Sequence, residues 1–541
     1  MRRGDAPGDR RPPREAAQGP GRSLIPFGGP PAQRGTVYLV GGGPGDPGLL
    51  GLRAARLLQT ATFVAYDRLS PPEVLTLCSE ECIQRYVGKL PDRHALPQAE
   101  LSALLVARAQ AGEAVVRLKG GDPFVLGRGS EEAAACAAAG VPFEVVPGVT
   151  SAVAAPAFAG IPVTHRGIAT GFAVVTGHED PLKGTAQTDY RALAQFPGTL
   201  VLLMGIGRIG GIARSLMAGG RDPSTPVALV RWGSTPRQAT LVATLGDVER
   251  RVAETGSGFG PPAVTIIGDV VGLREELRWF DRRPLHGVSV LVPRTRHQAS
   301  ALSDRLRALG AEPVEAPTIA VEPTRDPEGL RAAVAAVADG AYDWVAFTSA
   351  NGVDAMWEQL DVLGLDARLF ARARIAVVGP GTGDALARRG LRADLVPSRY
   401  TTRGLAEALL DAGGKRVLLP RADIATPTLT RALAEAGWEA VEVEAYRTTR
   451  ADGLPPAVAA RLAGGDVDVL AFASSSTVRN FVALLGGAPD PRMRVASIGP
   501  VTTQTCRELG LRVDAEACPH DLDGLIQAVL AAAPPTEAGG R

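Results

Sequence analysis

The stretch "TVYLVGGGPGDPGLL", Thr36 to Leu50, joins an apolar strand to a loop of glycines and prolines. From Gly43 the letters G-P-G-D-P-G satisfy the dinucleotide fingerprint G-x-G-x-x-G, and a strand precedes them as that motif requires. Pro44 and Pro47, however, have no N–H to offer a pyrophosphate. No Lys-Ser/Thr pair follows, which excludes a P-loop. We therefore expect a rigid turn, poor in side chains, that holds a ligand by shape and by carbonyl groups.

Length and composition limit the class of protein. The 541 residues exceed one hydrophobic core, so we expect three or four domains. A formal charge of +1 gives no global field for nucleic acid or an anionic membrane, and neither is expected as a partner. Five scattered cysteines form no disulfide framework, which favours the reducing cytoplasm. No apolar run is long enough to span a bilayer, and no metal-ligand set is complete.

The pattern of apolar runs divides the chain into two halves. From residue 37 to about residue 277, strand-length runs alternate with Ala- and Leu-rich stretches, the βαβ pattern of mostly parallel sheets. A new series of strands follows "LRWFDRRPLHG" at 277–287. We predict a disordered tail at 1–34, a first domain at 35–280, a linker at 281–286, a second domain at 287–532 and a disordered tail at 533–541.

An internal duplication organises the second half. Three pairs of segments align in order and without gaps: 374–410 with 494–530, 289–314 with 416–441, and 342–353 with 467–478. Two α/β units of similar plan are therefore expected, with the ligand site in the cleft between them.

The first half carries a series of loop motifs that together resemble one family. They are "GGGPGDP", "AYDRLS" (65–70), "VGK" (87–89), "RLKGGDPFVLGRGSEE" (117–132), "EVVPGVTSA", "AGIPVTHRG", "TGH", "LLMG" and "PPAVTIIGDVVGL". In this order they resemble uroporphyrinogen-III C-methyltransferase, of the tetrapyrrole methylase superfamily. The resemblance implies two α/β subdomains with S-adenosylmethionine in the cleft between them. That cofactor has no phosphate, which agrees with a loop short of N–H donors.

The resemblance also assigns residues to the site of the first half. It makes Asp67 the proton acceptor and Lys89 the proton donor, whereas the residues alone indicate a turn aspartate and a solvated lysine. A second glycine loop, "MGIGRIGG" at 204–211, fits the dinucleotide fingerprint, but the acidic residue expected about 20 positions later is absent. The residues implied to contact the cofactor are Pro44, Gly120, Gly121, Asp122, Val125, Thr150, Ser151, Met204 and Gly233; Thr150 and Ser151 can also simply cap a helix.

The second half resembles uroporphyrinogen-III synthase. The motifs are "VLVPRTRHQA", "YDWVAFTSANGV", "VGPGTGDAL", "LLPRADIA", "VEAYRTTR", "FASSSTVRNF" and "SIGPVTTQT". The resemblance implies two α/β lobes, one formed by 287–321 plus 448–532 and the other by 322–447. It implies conversion of hydroxymethylbilane into uroporphyrinogen III, with inversion of ring D through a spiro intermediate.

A substrate with eight carboxylates requires N–H donors, hydroxyls and arginines around a cleft. Tyr446, in "AYRTTR", matches the family's candidate for assisting hydroxyl loss, although a lone strand tyrosine is usually packing. Hydroxyl side chains follow strands in both repeats, and two arginines occupy equivalent positions. The candidate substrate-binding residues are Arg294, Ser349, Thr382, Arg421, Ser474, Ser475, Thr502 and Thr503.

The sequence thus predicts an α/β protein with two activities in tetrapyrrole synthesis. The first half would methylate uroporphyrinogen III at C2 and C7 to give precorrin-2, on the route to sirohaem and cobalamin. One alternative makes the C-terminal half a non-catalytic tetrapyrrole-binding module. Another makes the first half a methylase of a later corrin intermediate. The family resemblance also suggests a homodimer through the methyltransferase domain.

Overall fold

A computed structural model describes residues 28–88, 96–178, 188–256, 259–293, 296–487 and 489–535. Lys89, Arg294 and most of both predicted tails lie outside these residues. Residues 28–34, assigned to the first tail from sequence, instead contact the first domain: the Ala32 N–H donates to Thr60 Oγ1 at 2.8 Å. The described residues form two compact units, one within Thr318–Gly453 and the other within Leu24–Pro317 and Leu454–Arg541.

The first sheet is fully parallel. Its order is β3-β2-β4-β1-β5, so the chain crosses over after each strand, and the buried central strands are nearly continuous apolar runs. The carboxyl ends of all its strands lie at one edge. The strands are β1 (Thr36–Gly41), β2 (Phe63–Tyr66), β3 (Ile83–Tyr86), β4 (Ala114–Lys119) and β5 (Phe143–Val146), and the helices are α1 (Leu52–Thr60), α2 (Gln98–Gln110), α3 (Gly129–Ala138) and α4 (Ser151–Phe158).

The second sheet corrects the expectation of mostly parallel sheets in the first half. Only its first two strands pair in parallel; the other three pairings are antiparallel. The reason is local, because β8 and β9 are joined by seven residues, 232–238, too few for a helical crossover. Its order is β6-β7-β10-β8-β9. The elements are β6 (Phe172–Thr176), α5 (Tyr190–Leu193), β7 (Thr199–Leu203), α6 (Ile209–Ala218), β8 (Pro226–Arg231), β9 (Ala239–Thr244), α7 (Val248–Glu254), β10 (Ala263–Ile267) and α8 (Arg274–Leu277).

The described residues of the second half contain ten strands in two sheets. The strands are β11 (Ser289–Val292), β12 (Glu312–Glu315), β13 (Ile319–Pro323), β14 (Trp344–Phe347), β15 (Arg374–Val377), β16 (Arg416–Ala422), β17 (Glu439–Arg450), β18 (Val469–Phe472), β19 (Arg494–Ser497) and β20 (Ala515–Glu516). The helices are α9 (Arg296–Ala308), α10 (Pro327–Ala338), α11 (Ala350–Leu363), α12 (Pro380–Arg388), α13 (Thr402–Ala412), α14 (Thr428–Glu435), α15 (Pro456–Gly464), α16 (Ser475–Leu485), α17 (Pro500–Glu508) and α18 (Leu522–Ala532).

The duplication predicted from sequence is confirmed in the topology of these two sheets. One has the order β12-β11-β18-β19-β20 and the other β13-β17-β16-β14-β15. The three aligned segment pairs make β11 and β12 equivalent to β16 and β17, β18 to β14, and β19 to β15. Equivalent strands therefore occupy equivalent sheet positions, and all pairings among them are parallel. The long β17 also pairs antiparallel with β13, which has no counterpart.

The predicted linker, 281–286, packs against the second domain. Leu285 is fully buried within the hydrophobic cluster of β11 and α18. Among the described residues no helix is both long and apolar enough to cross a membrane. The 3-10 helices are Pro47–Leu49, Pro72–Leu77, Ile206–Arg208, Asp269–Leu273 and Ala367–Arg372.

Candidate functional site

Three glycine loops converge at the carboxyl edge of the first sheet. A Cβ built on Gly148 would lie 2.3 Å from the Gly121 carbonyl oxygen, and one on Gly41 would lie 2.5 Å from the Gly148 nitrogen. The Gly121 N–H, at a residue with φ of 68°, donates to the Gly43 carbonyl oxygen at 2.6 Å. Only residues without a Cβ allow this approach. The result is the rigid turn poor in side chains that the sequence predicts.

Asp122 joins two of these loops through its carboxylate. Oδ1 accepts hydrogen bonds from the Phe124 and Val125 N–H groups at 2.8 and 3.1 Å, and Oδ2 accepts one from the Gly148 N–H at 3.1 Å. Both oxygens are therefore already engaged by backbone amides. The carboxylate fixes the shape of the predicted cofactor loop, and direct contact with a cofactor stays a prediction for Asp122 and Val125.

The remaining predicted cofactor residues of the first sheet lie beside these loops. A Cβ built on Gly121 would be 3.7 Å from the Ser151 nitrogen, and one on Gly120 would be 2.6 Å from Leu69 Cβ. Thr150 is the N-cap of α4, its hydroxyl accepting from the Ala152 N–H at 3.3 Å, so the predicted capping role is confirmed.

Backbone strain is concentrated at the loops that follow three strands. The described non-glycine residues with positive φ are Leu126 and Arg128 after β4, Met204 after β7, and Trp232 and Ser234 after β8. Such conformations cost about 1–3 kcal/mol each and persist where the surrounding structure enforces them, typically at functional sites. The predicted cofactor residue Met204, at φ 58°, is 53% exposed. Strain therefore coincides with the loops selected from sequence.

The loop after β8, in the second sheet, contacts the loop after β1, in the first sheet. The Asp46 N–H, in the loop after β1, donates to Ser234 Oγ at 3.3 Å. Gly233 lies against α4 so closely that a Cβ there would be 2.5 Å from Ala155 Cβ. Pro44, half-buried, lies in the same loop as Asp46. Loops from both sheets and the start of α4 thus border one region.

Asp67 lies at the end of β2 and is tied to a buried cation. Its Oδ2 accepts from Arg117 Nη2 at 2.9 Å, and its Oδ1 accepts from the Leu69 N–H at 3.1 Å and the Ser70 hydroxyl at 3.3 Å. The Asp67 side chain remains 26% exposed, whereas that of Arg117 is 5% exposed. Asp67 therefore presents an oriented carboxylate beside the Gly120 loop.

Arg117, which binds Asp67, belongs to a buried cluster of charged side chains. Arg117 and Lys119 occupy alternate positions of β4 and both reach Glu132 Oε1, at 3.3 and 3.1 Å. Glu132 is fully buried, and its Oε2 has no hydrogen-bond partner. Burial, with Arg117 alongside, lowers the pKa of Lys119. Sequence analysis missed this cluster, although two basic residues in an otherwise apolar strand were a usable signal.

In the unit Thr318–Gly453 the predicted residues adopt specific contacts. Ser349 is the N-cap of α11, accepting from the Gly352 N–H at 3.1 Å, and its hydroxyl lies 2.9 Å from that of Tyr446. Tyr446 is 8% exposed, with its ring in the hydrophobic core. Thr382 is buried in the first turn of α12. The structure therefore joins Ser349 and Tyr446, which the sequence treats separately.

The predicted substrate arginine of this unit is already paired. Arg421 is 4% exposed, and its guanidinium contacts the Glu442 carboxylate and the Thr426 carbonyl oxygen. Its Nε is buried without a hydrogen-bond partner. Contact with a substrate carboxylate would have to use that N–H or displace Glu442, and it stays a prediction. Arg294, its counterpart in the repeat, lies outside the described residues.

The other repeat uses its hydroxyl residues for local contacts. Ser474 is the N-cap of α16, accepting from the Thr477 N–H at 3.3 Å. Ser475 Oγ donates to the Val501 carbonyl oxygen at 3.1 Å, and Thr503 Oγ1 lies 2.6 Å from Ser497 Oγ. Thr502 is buried in the first turn of α17. Across the parts of the chain that the structure describes, no group of three or more acidic, His or Cys side chains is arranged to hold a metal ion.

Comparisons with known proteins find one family model for each half and a relative that matches both halves. A family model described as "Tetrapyrrole (Corrin/Porphyrin) Methylases" matches residues 36–249, and one described as "Uroporphyrinogen-III synthase HemD" matches residues 300–527. The "Porphyrin biosynthesis protein HemD" of Ruminiclostridium josui is 36% identical over 482 residues, covering 89% of this chain and 95% of that protein.

The first half has relatives of its own. The "S-adenosyl-L-methionine-dependent uroporphyrinogen III methyltransferase" of Methanosarcina barkeri is 46% identical over 243 residues, covering 45% of this chain and 94% of that protein. A crystal structure of uroporphyrin-III C-methyl transferase from Thermus thermophilus with S-adenyl homocysteine is 47% identical, covers 44% of this chain and 99% of that chain, and has a TM-score of 0.38. From the family models and the relative that spans both halves, the chain belongs to the family of fused proteins that join a tetrapyrrole methylase domain to a uroporphyrinogen-III synthase HemD domain.

Proposed function

We propose that the first half uses S-adenosylmethionine to methylate uroporphyrinogen III at C2 and C7, giving precorrin-2 for sirohaem or cobalamin synthesis in the cytoplasm. The observation that carries the proposal is the convergence of Gly41, Gly121 and Gly148, whose backbones pack directly on one another at the edge of the sheet. Loops built in this way, with Pro44 and Pro47 lacking N–H groups, suit a cofactor without phosphate better than a dinucleotide. The name of the Methanosarcina barkeri relative supports the choice of cofactor and substrate.

When bound, S-adenosylmethionine supplies an electrophilic methyl group on its sulfonium. The protein must then align a pyrrole carbon with that methyl group and remove a proton from the methylated ring. Asp67 is suited to the second task because Arg117 and the Leu69 N–H orient its carboxylate while a quarter of the side chain stays exposed. The buried Glu132 balances the charge of Arg117. Lys89 stays a proposed proton donor from the family resemblance alone.

We propose that the second half converts hydroxymethylbilane into uroporphyrinogen III. Tyr446 would assist loss of the substrate hydroxyl, and the contact of its own hydroxyl with that of Ser349 at the start of α11, at 2.9 Å, supports this role. The helix N-terminus and its serine can stabilise negative charge beside the phenol. The helix starts at Thr382, Ser474, Ser475, Thr502 and Thr503 are proposed to receive substrate carboxylates.

One experiment tests both halves. Purified protein is incubated with hydroxymethylbilane, with and without S-adenosylmethionine, and the tetrapyrroles are identified by chromatography and mass spectrometry. We expect uroporphyrinogen III without the cofactor and precorrin-2 with it. The alternative, a C-terminal module that binds tetrapyrrole without catalysis, predicts only the symmetric type-I ring that forms spontaneously. Uroporphyrinogen III supplied directly should be methylated under either hypothesis.

We also propose that the two activities are separable at the linker. Asp281 bonds to Arg274 and Gln238 of the first domain, whereas Leu285 is buried in the core of the second. A cut between these residues keeps each with its own domain. Fragments 36–281 and 285–541 should therefore fold, the first methylating uroporphyrinogen III and the second cyclising hydroxymethylbilane. A homodimer through the methylase domain is proposed from resemblance, and light scattering of the first fragment tests it.

A further inference from the structure

Gln238 is a buried polar residue for which the proposed reaction has no role. It ends the segment 232–238 between β8 and β9, here called the β8–β9 loop, and is 4% exposed. Its Oε1 accepts from the Ser234 N–H at 2.9 Å, and its Nε2 donates to Asp281 Oδ1 at 2.8 Å and to the Phe158 carbonyl oxygen at 3.2 Å. One amide group therefore joins the loop, the end of α4 and the segment after α8.

The loop that Gln238 holds is the strained one beside the predicted cofactor residue Gly233. Trp232 and Ser234, on either side of that glycine, have φ values of 50° and 67°. Such a backbone persists only if its surroundings enforce it. The bond from the Ser234 N–H to Gln238 does so from within the loop, while Ser234 Oγ accepts from the Asp46 N–H of the first sheet. Removing the Gln238 amide would leave the Ser234 N–H without its acceptor and would take one hydrogen bond from Asp281, which keeps its pair with Arg274.

The same loop reaches the second half of the chain. The Gln238 carbonyl oxygen accepts from His286 Nε2 at 3.0 Å. Arg237 stacks on the Trp232 ring, 4.4 Å from its centroid, and its Nε lies 3.5 Å from Glu312 Oε1 on β12. Glu312 belongs to the synthase half, so the contacts run from the cofactor loop into the other domain.

We propose that Gln238 is a positioning residue for the adenosylmethionine pocket and that the β8–β9 loop couples this pocket to the synthase half through Glu312. The inference rests on the proposed use of adenosylmethionine by the first half. It goes further in assigning the geometry of the pocket to a residue that touches no substrate, and in making cofactor affinity depend on a side chain of the other domain.

The test measures binding of S-adenosylhomocysteine to the full-length protein by calorimetry and methylation kinetics with uroporphyrinogen III. Gln238→Met keeps the side-chain length and removes all three hydrogen bonds. We expect the dissociation constant to rise about tenfold or more, with the KM for adenosylmethionine raised in proportion and kcat reduced less. A residue needed only for folding would lower the amount of active protein and leave KM unchanged.

Gln195→Met is the matched control for this variant. Gln195 is exposed and donates to the Gly219 carbonyl oxygen, away from the cofactor loops, so binding should stay at the wild-type value. Wild-type affinity and KM in Gln238→Met would overturn the inference while leaving the proposed function intact. Failure of the wild-type protein itself to bind S-adenosylhomocysteine would overturn both.

A second pair of variants tests the coupling without altering the methylase core. Glu312→Gln removes the charge that faces Arg237 and also the closer pair of Glu312 with Arg461 inside the synthase half. Glu315→Gln removes a charge on the same strand that pairs with Arg307 inside that half. We expect Glu312→Gln to weaken S-adenosylhomocysteine binding about twofold, the scale of a partly exposed ion pair, and Glu315→Gln to leave it unchanged. Equal binding in both variants would overturn the coupling, even if Gln238→Met failed to fold.

Discussion

The methylase and synthase halves hold their polar groups in different ways. At the sheet edge of the first half, Asp122 and Asp67 are fixed by backbone amides and by the buried Arg117. In the second half the polar groups are mostly hydroxyls at helix starts, such as Ser349 and Ser474, which cap the helix that follows. A charged group in the first half therefore depends on a network, whereas a hydroxyl in the second depends on one local turn. A substitution at a charged site residue of the first half should therefore disturb several residues, whereas one at a hydroxyl of the second half should disturb mainly the helix that it caps.

The largest expected effect is that of Asp67→Ala on methylation. This change removes the proposed proton acceptor together with one of the two carboxylate partners of the buried Arg117, so the rate should fall about 10⁴-fold. Binding of S-adenosylhomocysteine and cyclisation of hydroxymethylbilane should persist. Asp222→Ala serves as the control. Asp222 is an exposed turn residue of the same domain whose carboxylate accepts a hydrogen bond from the Ser224 N–H. Wild-type methylation in Asp67→Ala would leave Asp67 a turn residue.

Tyr446→Phe should act on the other half only. The substitution keeps the buried ring and removes the hydroxyl that lies 2.9 Å from Ser349 Oγ. If the phenol is a general acid toward the departing hydroxyl, cyclisation should slow about 10²–10⁴-fold, with methylation of supplied uroporphyrinogen III unchanged. The yield of uroporphyrinogen III against the type-I ring measures this. A small loss would mean that the helix starts carry most of the catalysis and that Tyr446 is packing.

Asp122→Ala tests how much the Asp122 carboxylate contributes to holding two of the glycine loops of the first half together. The carboxylate accepts from three N–H groups, and hydrogen bonds to a charged group contribute about 1.5–3 kcal/mol. We expect S-adenosylhomocysteine binding to weaken about tenfold and the unfolding temperature to fall by several degrees. Asp122→Asn should lose less, because one oxygen can still accept. Unchanged affinity in Asp122→Ala would show that the Gly121 and Gly148 backbones keep their positions without the carboxylate.

The smallest expected effect is the pH dependence of the free energy of unfolding that arises from His286, in the segment between the two halves. The Gln238 carbonyl oxygen accepts a hydrogen bond from His286 Nε2, and His286 Nδ1 is buried without a hydrogen-bond partner. Burial lowers the pKa of His286, opposed by nearby Asp281 and reinforced by Arg274 and Arg283. The unfolded chain then binds a proton more readily, near pH 6.5.

Stability should therefore be greatest above pH 6.5 and decrease as the pH falls toward the lowered pKa of His286. The slope cannot exceed about 1.4 kcal/mol per pH unit for one proton. Denaturant unfolding at a series of pH values should show a shallower dependence in His286→Gln than in wild type. Parallel curves for the two proteins would mean that His286 becomes protonated as easily in the folded state.

Much of the fold followed from local signals. Apolar runs ending in Gly and Pro marked β1 and β4, and the three aligned segment pairs predicted two similar sheets, which the strand orders confirm. The expectation of parallel pairing failed for β8, β9 and β10. The seven-residue connection between β8 and β9 reverses the chain direction there, and the alternation of apolar runs along the sequence does not reveal that reversal.

The candidate site was predictable in part. Glycine and proline requirements are local, so the Gly120–Gly121 turn and the Thr150 cap could be read from their own neighbourhoods. Arg117, Glu132 and Gln238 could not, because their significance depends on partners 15 to 50 residues away. Periodicity shows that a residue faces a core but does not show which charge or amide it meets there.

The sequence by itself determined the two-part organisation, the duplication, and the rigid, side-chain-poor loop at Gly43, since these depend on composition, self-similarity and the absence of Cβ atoms and N–H groups. The tertiary structure alone decided the mixed pairing of the second sheet, the burial of Glu132 between two cations, the contact of Tyr446 with Ser349, and the connection of the β8–β9 loop to Glu312. The last three join side chains that lie at least 13 residues apart in the chain, and these contacts form only when folding brings the two side chains together.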